Sequence, residues 1–449
     1  LNMNNNETTI CALASSIGKG GIGVVRVSGP LSQKIAKHML GFVPKPRYAH
    51  YGSFFDNNHV EVDQGIALFF PGPNSFTGED VLEFQGHGGL SVMRSLIESA
   101  IALGAQPAEP GEFSKRAFLN GKMDLVQAEA VADIIDASSE QASRSALRSL
   151  SGVFSKQVNT LTQSIINLRI FVEATIDFSD EEIDFLQSDQ VQVKAQAIKS
   201  EIQEILYAAS QGAILREGLN VAIAGKPNAG KSSLLNALTQ RSSAIVTDIA
   251  GTTRDVLRET IHINGMPLNI IDTAGLHESQ DVVEQEGIKR ARNAIAQADV
   301  VLLMYDAQDK NPDFSIVPEA VDPKKLIIIK NKIDLTGEQV TKQVDADTIQ
   351  LSICTKDIQG IDLLRQTLAD MAGLDSGLEG VVLARKRHII ALEESLDAIN
   401  HALMQLDGSA IELMAEDLRH AGQAMASITG EFSSDDLLGE IFSSFCIGK

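Results

Sequence analysis

Apolar residues recur along this chain with different rhythms, and the changes of rhythm mark its parts. From Asp124 to Ala174, and again from Gln190 to Ala209, they return every third or fourth position, the spacing of one helix face. The same spacing resumes after Gly380, over Arg385 to Leu406, Ile411 to Ser427 and Asp435 to Phe445. Between these stretches, short apolar runs at Val221, Ile270, Val300 to Met304, Leu326 to Ile329 and Ile349 alternate with helical segments. That alternation predicts a doubly wound α/β domain over roughly Arg216 to Gly377. The flanking helices are too amphipathic to stand alone, so they are expected to pack together, with the α/β domain inserted between them.

The first 120 residues differ again. Strands at Thr9 to Ala14, Gly23 to Val27, Gly65 to Phe70 and Val81 to Gln85, with a helix at Leu90 to Leu103, predict an α+β domain. Gly18-Lys19-Gly20-Gly21-Ile22-Gly23 has the spacing of a dinucleotide fingerprint. A strand, Val24 to Val27, follows where that fingerprint needs a helix opening on pyrophosphate, so a glycine hairpin is expected instead. The expected division is therefore 1–120, 121–215, 216–377 and 378–449, the second and fourth pieces forming one helical domain.

The α/β region carries the chemistry most directly. Leu219 to Ala224 reads as a buried strand, and Gly225-Lys226-Pro227-Asn228-Ala229-Gly230-Lys231-Ser232 after it is a complete phosphate-binding loop. Its backbone N–H groups, from Asn228, Ala229 and Gly230 onward, curl around phosphates, Lys231 neutralises the outer ones, and the Ser232 hydroxyl reaches Mg²⁺. Ser233 continues into a helix whose positive end faces the same anion. The loop alone leaves ATP and GTP open. Asn331-Lys332-Ile333-Asp334 decides for GTP, because the Asp334 carboxylate accepts two hydrogen bonds from guanine that adenine does not offer. Ser352-Ile353-Cys354 stands where such GTPases place a main-chain donor for the guanine oxygen, Ile353 replacing the usual Ala. Asp272-Thr273-Ala274-Gly275 ends another strand, with Asp272 holding Mg²⁺ through water and the Gly275 N–H near the outer phosphate. Leu276 follows where signalling GTPases place a water-orienting Gln, so another residue must take that role. Thr252 and Thr253, in the loop running from Ser243 to Asp255 through Thr247, Asp248, Ile249, Ala250 and Gly251, are the candidates to close over Mg²⁺, with Thr253 assigned to the ion.

Composition narrows the setting. A net charge of −21 repels a polyanion at long range, so any RNA partner must meet a local patch or a second protein. No stretch approaches the ~20 apolar residues of a membrane span, and the start lacks a basic-then-apolar signal, so a cytoplasmic protein with no membrane partner is expected. Leu1 and Asn2 are expected to precede a native start at Met3. Cys11, Cys354 and Cys446 lie far apart with no metal-ligand spacing, which argues against a disulfide framework or zinc site.

Segments from all three regions then point to one family. Gly20 to Gly29, Pro73-Asn74-Ser75-Phe76-Thr77-Gly78-Glu79-Asp80, Gln85-Gly86-His87-Gly88-Gly89, Pro110 to Phe118 and terminal Cys446-Ile447-Gly448-Lys449 resemble the MnmE (TrmE) family of tRNA-modification GTPases over essentially the whole chain. The resemblance implies a multidomain chain with a folate-binding N-terminal α+β domain, a helical domain and an inserted Ras-like P-loop GTPase domain. It implies a homodimer through the N-terminal domains and a flavoprotein partner, MnmG, in a heterotetramer. Together they would add an aminomethyl or carboxymethylaminomethyl group to C5 of the wobble uridine of certain tRNAs, with carbon from 5-formyl- or 5,10-methylene-tetrahydrofolate. By matching motif, Arg26, Glu83, Lys122 and Lys449 fall at the folate site. Cations suit the glutamate tail and Glu83 the pterin donors, though a strand Arg is more often an edge charge and a terminal Lys a solvated tail. Cys446 becomes a catalytic candidate in the modification chemistry; by composition it is a free thiol with no visible base beside it. Glu284 matches the family's water-positioning acid, with Glu286 its rival and a solvated acid at a helix start the ordinary reading. His277 stands where relatives often have Arg. Asn228 and the Thr247–Thr252 backbone, with Ile249 among its carbonyls, look like GTPases in which K⁺ lies along the phosphates and spreads transition-state charge. For Asn228 the plainer reading is a loop side chain capping its own backbone.

Two other classes fit part of the sequence. A ribosome-assembly GTPase shares the nucleotide motifs but usually carries a basic RNA-binding appendage, and here the appended helices are acidic. A GTP-controlled scaffold lacks any reason for the terminal Cys-Ile-Gly-Lys or the folate-matching positions.

Overall fold

The structure is a computed structural model, and it describes residues 8–16, 18, 20–137, 139–177, 188–239, 258–263, 266–272, 295–309, 317–318, 321–345, 348–372, 382–408, 411–431, 435–443 and 445–448. The chain forms two compact units, one of residues 1–135, 149–199 and 394–449, the other of 136–148 and 200–393. The borders between these units fall inside helices.

In the first unit, β1 (Ile10–Leu13), β2 (Gly20–Ser28), α1 (Ser32–Leu40), β3 (His50–Phe55), β4 (Glu61–Phe70), β5 (Val81–Gly88), α2 (Leu90–Ala102) and β6 (Gln106–Pro107) follow in order. They build a six-stranded sheet of order β3-β4-β5-β2-β1-β6, antiparallel except for the short β1–β6 pair. Alternation sends Val25, Val27, Leu82, Phe84, Ala67 and Phe69 to one face, where they pack with Ile35, Met39, Met93 and Leu96 of the two helices. Gly20 to Gly23 of the glycine run are the first residues of β2 itself, Ala14 N–H donates to Val24 O at 2.7 Å, and β1 pairs antiparallel with β2. Sequence patterning passed over α1 and β3.

Helices α3 (Glu112–Leu119), α4 (Leu125–Asp136), α5 (Glu140–Leu150), α6 (Val153–Asp177) and α7 (Ser188–Glu217) come next. After the α/β region the chain returns as α10 (Lys386–Gly408), α11 (Ile411–Thr429) and α12 (Asp435–Ser443). Within the first unit α11 lies along α6, close enough that a Cβ on Gly422 would sit 3.7 Å from the Ile165 side chain. Leu438, Ile441, Phe442 and Phe445 close over Leu125 and Ala128 of α4. Helices from both sides of the α/β region therefore share one core, as their amphipathic patterns require.

The second unit holds β7 (Leu219–Gly225), α8 (Lys231–Thr239), β8 (Arg258–Ile263), β9 (Met266–Asp272), β10 (Val300–Asp306), β11 (Leu326–Asn331), β12 (Thr341–Asp345), β13 (Thr348–Ser352) and α9 (Ile361–Met371). Its sheet runs β12-β13-β11-β10-β7-β9-β8, with five central parallel strands and an antiparallel strand at each edge. Of the continuous apolar runs, those of β7 and β10 at the centre of the sheet are buried on both faces, as a parallel sheet demands.

Candidate functional site

Parallel strands end together, so their carboxyl ends gather the sequence motifs along one crevice. Ile223 pairs with Asp272, Met304 with Gly225, Asp306 with Asn331, and Lys330 with Ser352. Gly225 is the close-approach residue here, for a Cβ on it would lie 2.3 Å from the Met304 carbonyl oxygen. Asn228 holds φ at 62°, a left-handed conformation that Asn tolerates better than most residues. The loop then enters α8, whose first turn exposes Ser232 and Ser233. Lys231 lies back across the loop, its Nζ donating to Gly225 O at 2.6 Å and Lys226 O at 3.2 Å. A small cavity of about 100 Å³ opens beside the loop, lined by Asn228, Ala229, Tyr305 and Asp306 among others.

Fully buried Asn331 ties the base-recognition strand to the phosphate loop. Its Nδ2 donates to Ala229 O at 2.8 Å, and its Oδ1 accepts from Thr355 N–H at 3.1 Å. Both ends of a buried amide are thus satisfied, and the two loops are fixed against each other. Lys332, at φ 64°, pairs with Asp306 at 2.8 Å. Burial works to raise the Asp306 pKa, but the hydrogen bond and charge of Lys332, with the Gln308 N–H, outweigh it and hold the carboxyl below its usual range. Asp334 is exposed, and its Oδ1 accepts a hydrogen bond from the Cys354 thiol, Sγ to oxygen 3.1 Å.

The Ile353 N–H, expected to face guanine, donates instead to Lys330 O at 2.8 Å, because Ile353 still continues the β11–β13 ladder. The Cys354 N–H is likewise taken by Gln359 O at 3.0 Å. The main-chain donor directed at Asn331 belongs to Thr355, two residues further on. Ile358, at φ 58°, turns the loop back by way of a conformation that usually favours glycine. Sequence reasoning also missed Asp306 as the partner of Lys332; its place at the end of an apolar strand was the available signal.

In the first unit, Arg26 and Glu83 face each other across β2 and β5 and form an ion pair at 2.9 Å. The Arg26 guanidinium also lies over the Phe76 and Phe113 rings, 5.4 and 5.7 Å from their centroids. Lys122 is exposed at the same segment, its methylenes within 3.4 Å of where a Gly78 Cβ would stand. The chain's end returns to this domain: Pro110 bridges to Ile447, Gly111 N–H donates to Cys446 O at 3.4 Å, and Gly448 packs against Leu13. Cys446 is exposed there. Leu13 is the neighbour of Ala12, whose register partner is Arg26, so the tail docks on the strand next to the one that carries Arg26.

Thr247, Asp248, Ile249, Ala250, Gly251, Thr252, Thr253, Thr273, Ala274, Gly275, Leu276, His277, Glu284, Glu286 and Lys449, with the Asp272 side chain, lie outside the described residues. Among the described residues no helix is long and apolar enough to cross a membrane.

Against known proteins, residues 125–446 match the MnmE helical domain and residues 9–122 the N-terminus of the GTP-binding protein TrmE. A tRNA modification GTPase MnmE from Ruthia magnifica is 71% identical over 447 residues, covering 100% of both chains. The chain belongs to the MnmE family of tRNA modification GTPases. As a member of this family it is a GTPase. The MnmE protein of Pseudomonas syringae pv. tomato is 54% identical, again over 100% of both chains. The G domain of the T. maritima FeoB iron transporter aligns at 25% identity over 34% of this chain and 98% of its own, with a TM-score of 0.26.

Proposed function

We propose that the chain hydrolyses GTP at the carboxyl edge of the parallel sheet to drive the modification of tRNA, its activity resting on K⁺. The observation that carries this reading is Asn331, which joins the NKID strand to the phosphate loop through Ala229 O and to the Cys354–Thr355 loop through its Oδ1. A guanine-reading carboxylate, a phosphate-binding lysine and a helix N-terminus then belong to one rigid crevice.

The chain's own residues divide the work as follows. Lys231 and the loop N–H groups hold the phosphates, and Asp334 accepts from guanine. Ser232 and Thr253 are oxygen donors of the kind Mg²⁺ takes, and the exposed Asn228 amide suits K⁺, with carbonyls from Thr247, Ile249 and Thr252. A monovalent cation so held would supply transition-state charge stabilisation in the manner of an arginine finger. Glu284 orients the attacking water. In the other unit, Arg26, Glu83, Lys122 and Lys449 take a tetrahydrofolate, with Cys446 beside it acting in the modification chemistry. The GTPase domain is read as an insertion in the helical domain. The assembly is a cytoplasmic homodimer working with the flavoprotein MnmG, and the product is an aminomethylated or carboxymethylaminomethylated wobble uridine.

The test is steady-state GTP hydrolysis by the full chain with K⁺ or Na⁺ as the sole monovalent cation, beside Asn228→Gly. Glycine is the better variant because it keeps the φ of 62° while removing the amide. Fast turnover in K⁺ that collapses in Na⁺ and in the variant is expected. Equal rates in both salts would overturn the K⁺ mechanism. Reconstitution with the flavoprotein, tRNA and 5,10-methylene-tetrahydrofolate then tests the modification itself.

A further inference from the structure

The loop after β13 brings a thiol and two carboxylates to the mouth of the base pocket. Cys354 is buried, and two main-chain hydrogen bonds with Gln359, each 3.0 Å, lock its backbone in place. Its Sγ lies 3.1 Å from Asp334 Oδ1 and 3.7 Å from Asp357 Oδ2. Both carboxylates are exposed. A thiol carries one proton and can donate to one acceptor at a time, and the shorter contact is to Asp334. Burial first, then the hydrogen bond and charge of Asp334, raise the thiol pKa against opposing hydrogen bonds from the Asp357 and Lys356 main chain, so the group stays a protonated donor in neutral solution.

We propose that Cys354 is a positioning residue for base selection: its thiol proton holds the Asp334 carboxylate at the rotation that accepts two guanine donors, and Asp357 competes for that proton. The proposal rests on Asp334 being the guanine acceptor. A carboxylate free to turn about its last torsion still accepts one hydrogen bond over a wide range of angles. It accepts two parallel ones only near a single orientation. Losing the thiol should therefore weaken a ligand with two donors, guanine, more than one with a single donor, hypoxanthine. A side chain that merely fills space would weaken both alike.

The experiment measures GDP and IDP affinity of the full chain by titration with fluorescent analogues and unlabelled competitors. The variants are Cys354→Ala, the near-isosteric Cys354→Val, Cys354→Ser, Asp357→Asn and, as control, Asp334→Asn. Cys354→Ala and Cys354→Val are expected to weaken GDP about fivefold, the scale of one hydrogen bond, while IDP changes by less than about twofold. Cys354→Ser supplies an O–H donor and should restore the preference. Asp357→Asn, removing the competing charged acceptor, should leave the preference intact or sharpen it. An unchanged GDP-to-IDP ratio in both Cys354→Ala and Cys354→Val would overturn the proposal even if overall affinity fell. If Asp334→Asn kept full guanine preference, the reading of the base pocket itself would fail, a separate result from the loss of the thiol's role alone.

Discussion

In the seven-stranded sheet, functional residues follow one another at the carboxyl ends of parallel strands, each delivered by its own short motif. In the six-stranded sheet, Arg26 and Glu83 meet from antiparallel strands 57 residues apart. The first arrangement makes loops converge, so that on the proposed reading each loop would bind a different part of one ligand and the main chain would supply much of the binding. The second makes side chains converge in pairs, so recognition depends on register. A one-residue slip of β5 against β2 would send Glu83 to the opposite face. Two sites on one chain therefore fail in different ways when disturbed, and variants can separate them.

The largest separation should come from Lys231→Ala. Removing the cation that folds over the phosphate loop is expected to lower GTP turnover at least about a hundredfold. Binding of 5-formyl-tetrahydrofolate, measured by calorimetry on the same preparation, should stay within about twofold. A parallel collapse of folate binding would break the contrast between the two regions.

How much of this was legible in advance follows from the same contrast. Leu219 to Ala224, the phosphate loop and Asn331 to Asp334 were readable because parallel strands write themselves as continuous apolar runs and each motif is contiguous. The start of the loop after β13 was harder to read, since hydrogen bonding to Lys330 keeps Ile353 in the ladder. Only the register of β11 against β13 shows where the strand stops. The Arg26–Glu83 pair was beyond local pattern altogether: each residue was named by resemblance, and neither flanking sequence says that the two touch. The return of the tail was likewise hidden, because Cys-Ile-Gly-Lys has no periodicity with which to announce a docking surface.

That tail gives the next prediction. Gly448 sits at φ 94°, and a Cβ on it would come 2.1 Å from the Leu13 carbonyl oxygen. Gly448→Ala should therefore lift the terminus from β1, since both the backbone conformation and the space resist a methyl group. Tail release would be read as faster trimming by carboxypeptidase. On the proposed role of Cys446, tRNA modification should then fall about tenfold or more while GTP turnover stays within about twofold, as expected when a reacting group is misplaced rather than removed. Unchanged modification with a released tail would remove Cys446 from the chemistry.

The smallest effect separates two ways of using the ion pair. Arg26 and Glu83 are both mostly buried, with side chains 21% and 14% exposed, so each neutralises the other in a partly desolvated setting. Arg26→Gln leaves a mostly buried carboxylate without its cation, and Glu83→Gln leaves the guanidinium on Phe76 and Phe113 without its carboxylate. If the pair acts on folate as one feature, each single variant should weaken 5-formyl-tetrahydrofolate binding about tenfold, and the double variant should stay within about threefold of the worse single. If the two groups instead served opposite ends of the ligand, their losses would multiply to about a hundredfold. The cycle thus asks whether the antiparallel sheet presents a paired recognition element or two charges that happen to touch, a question that the converging loops of the parallel sheet do not raise.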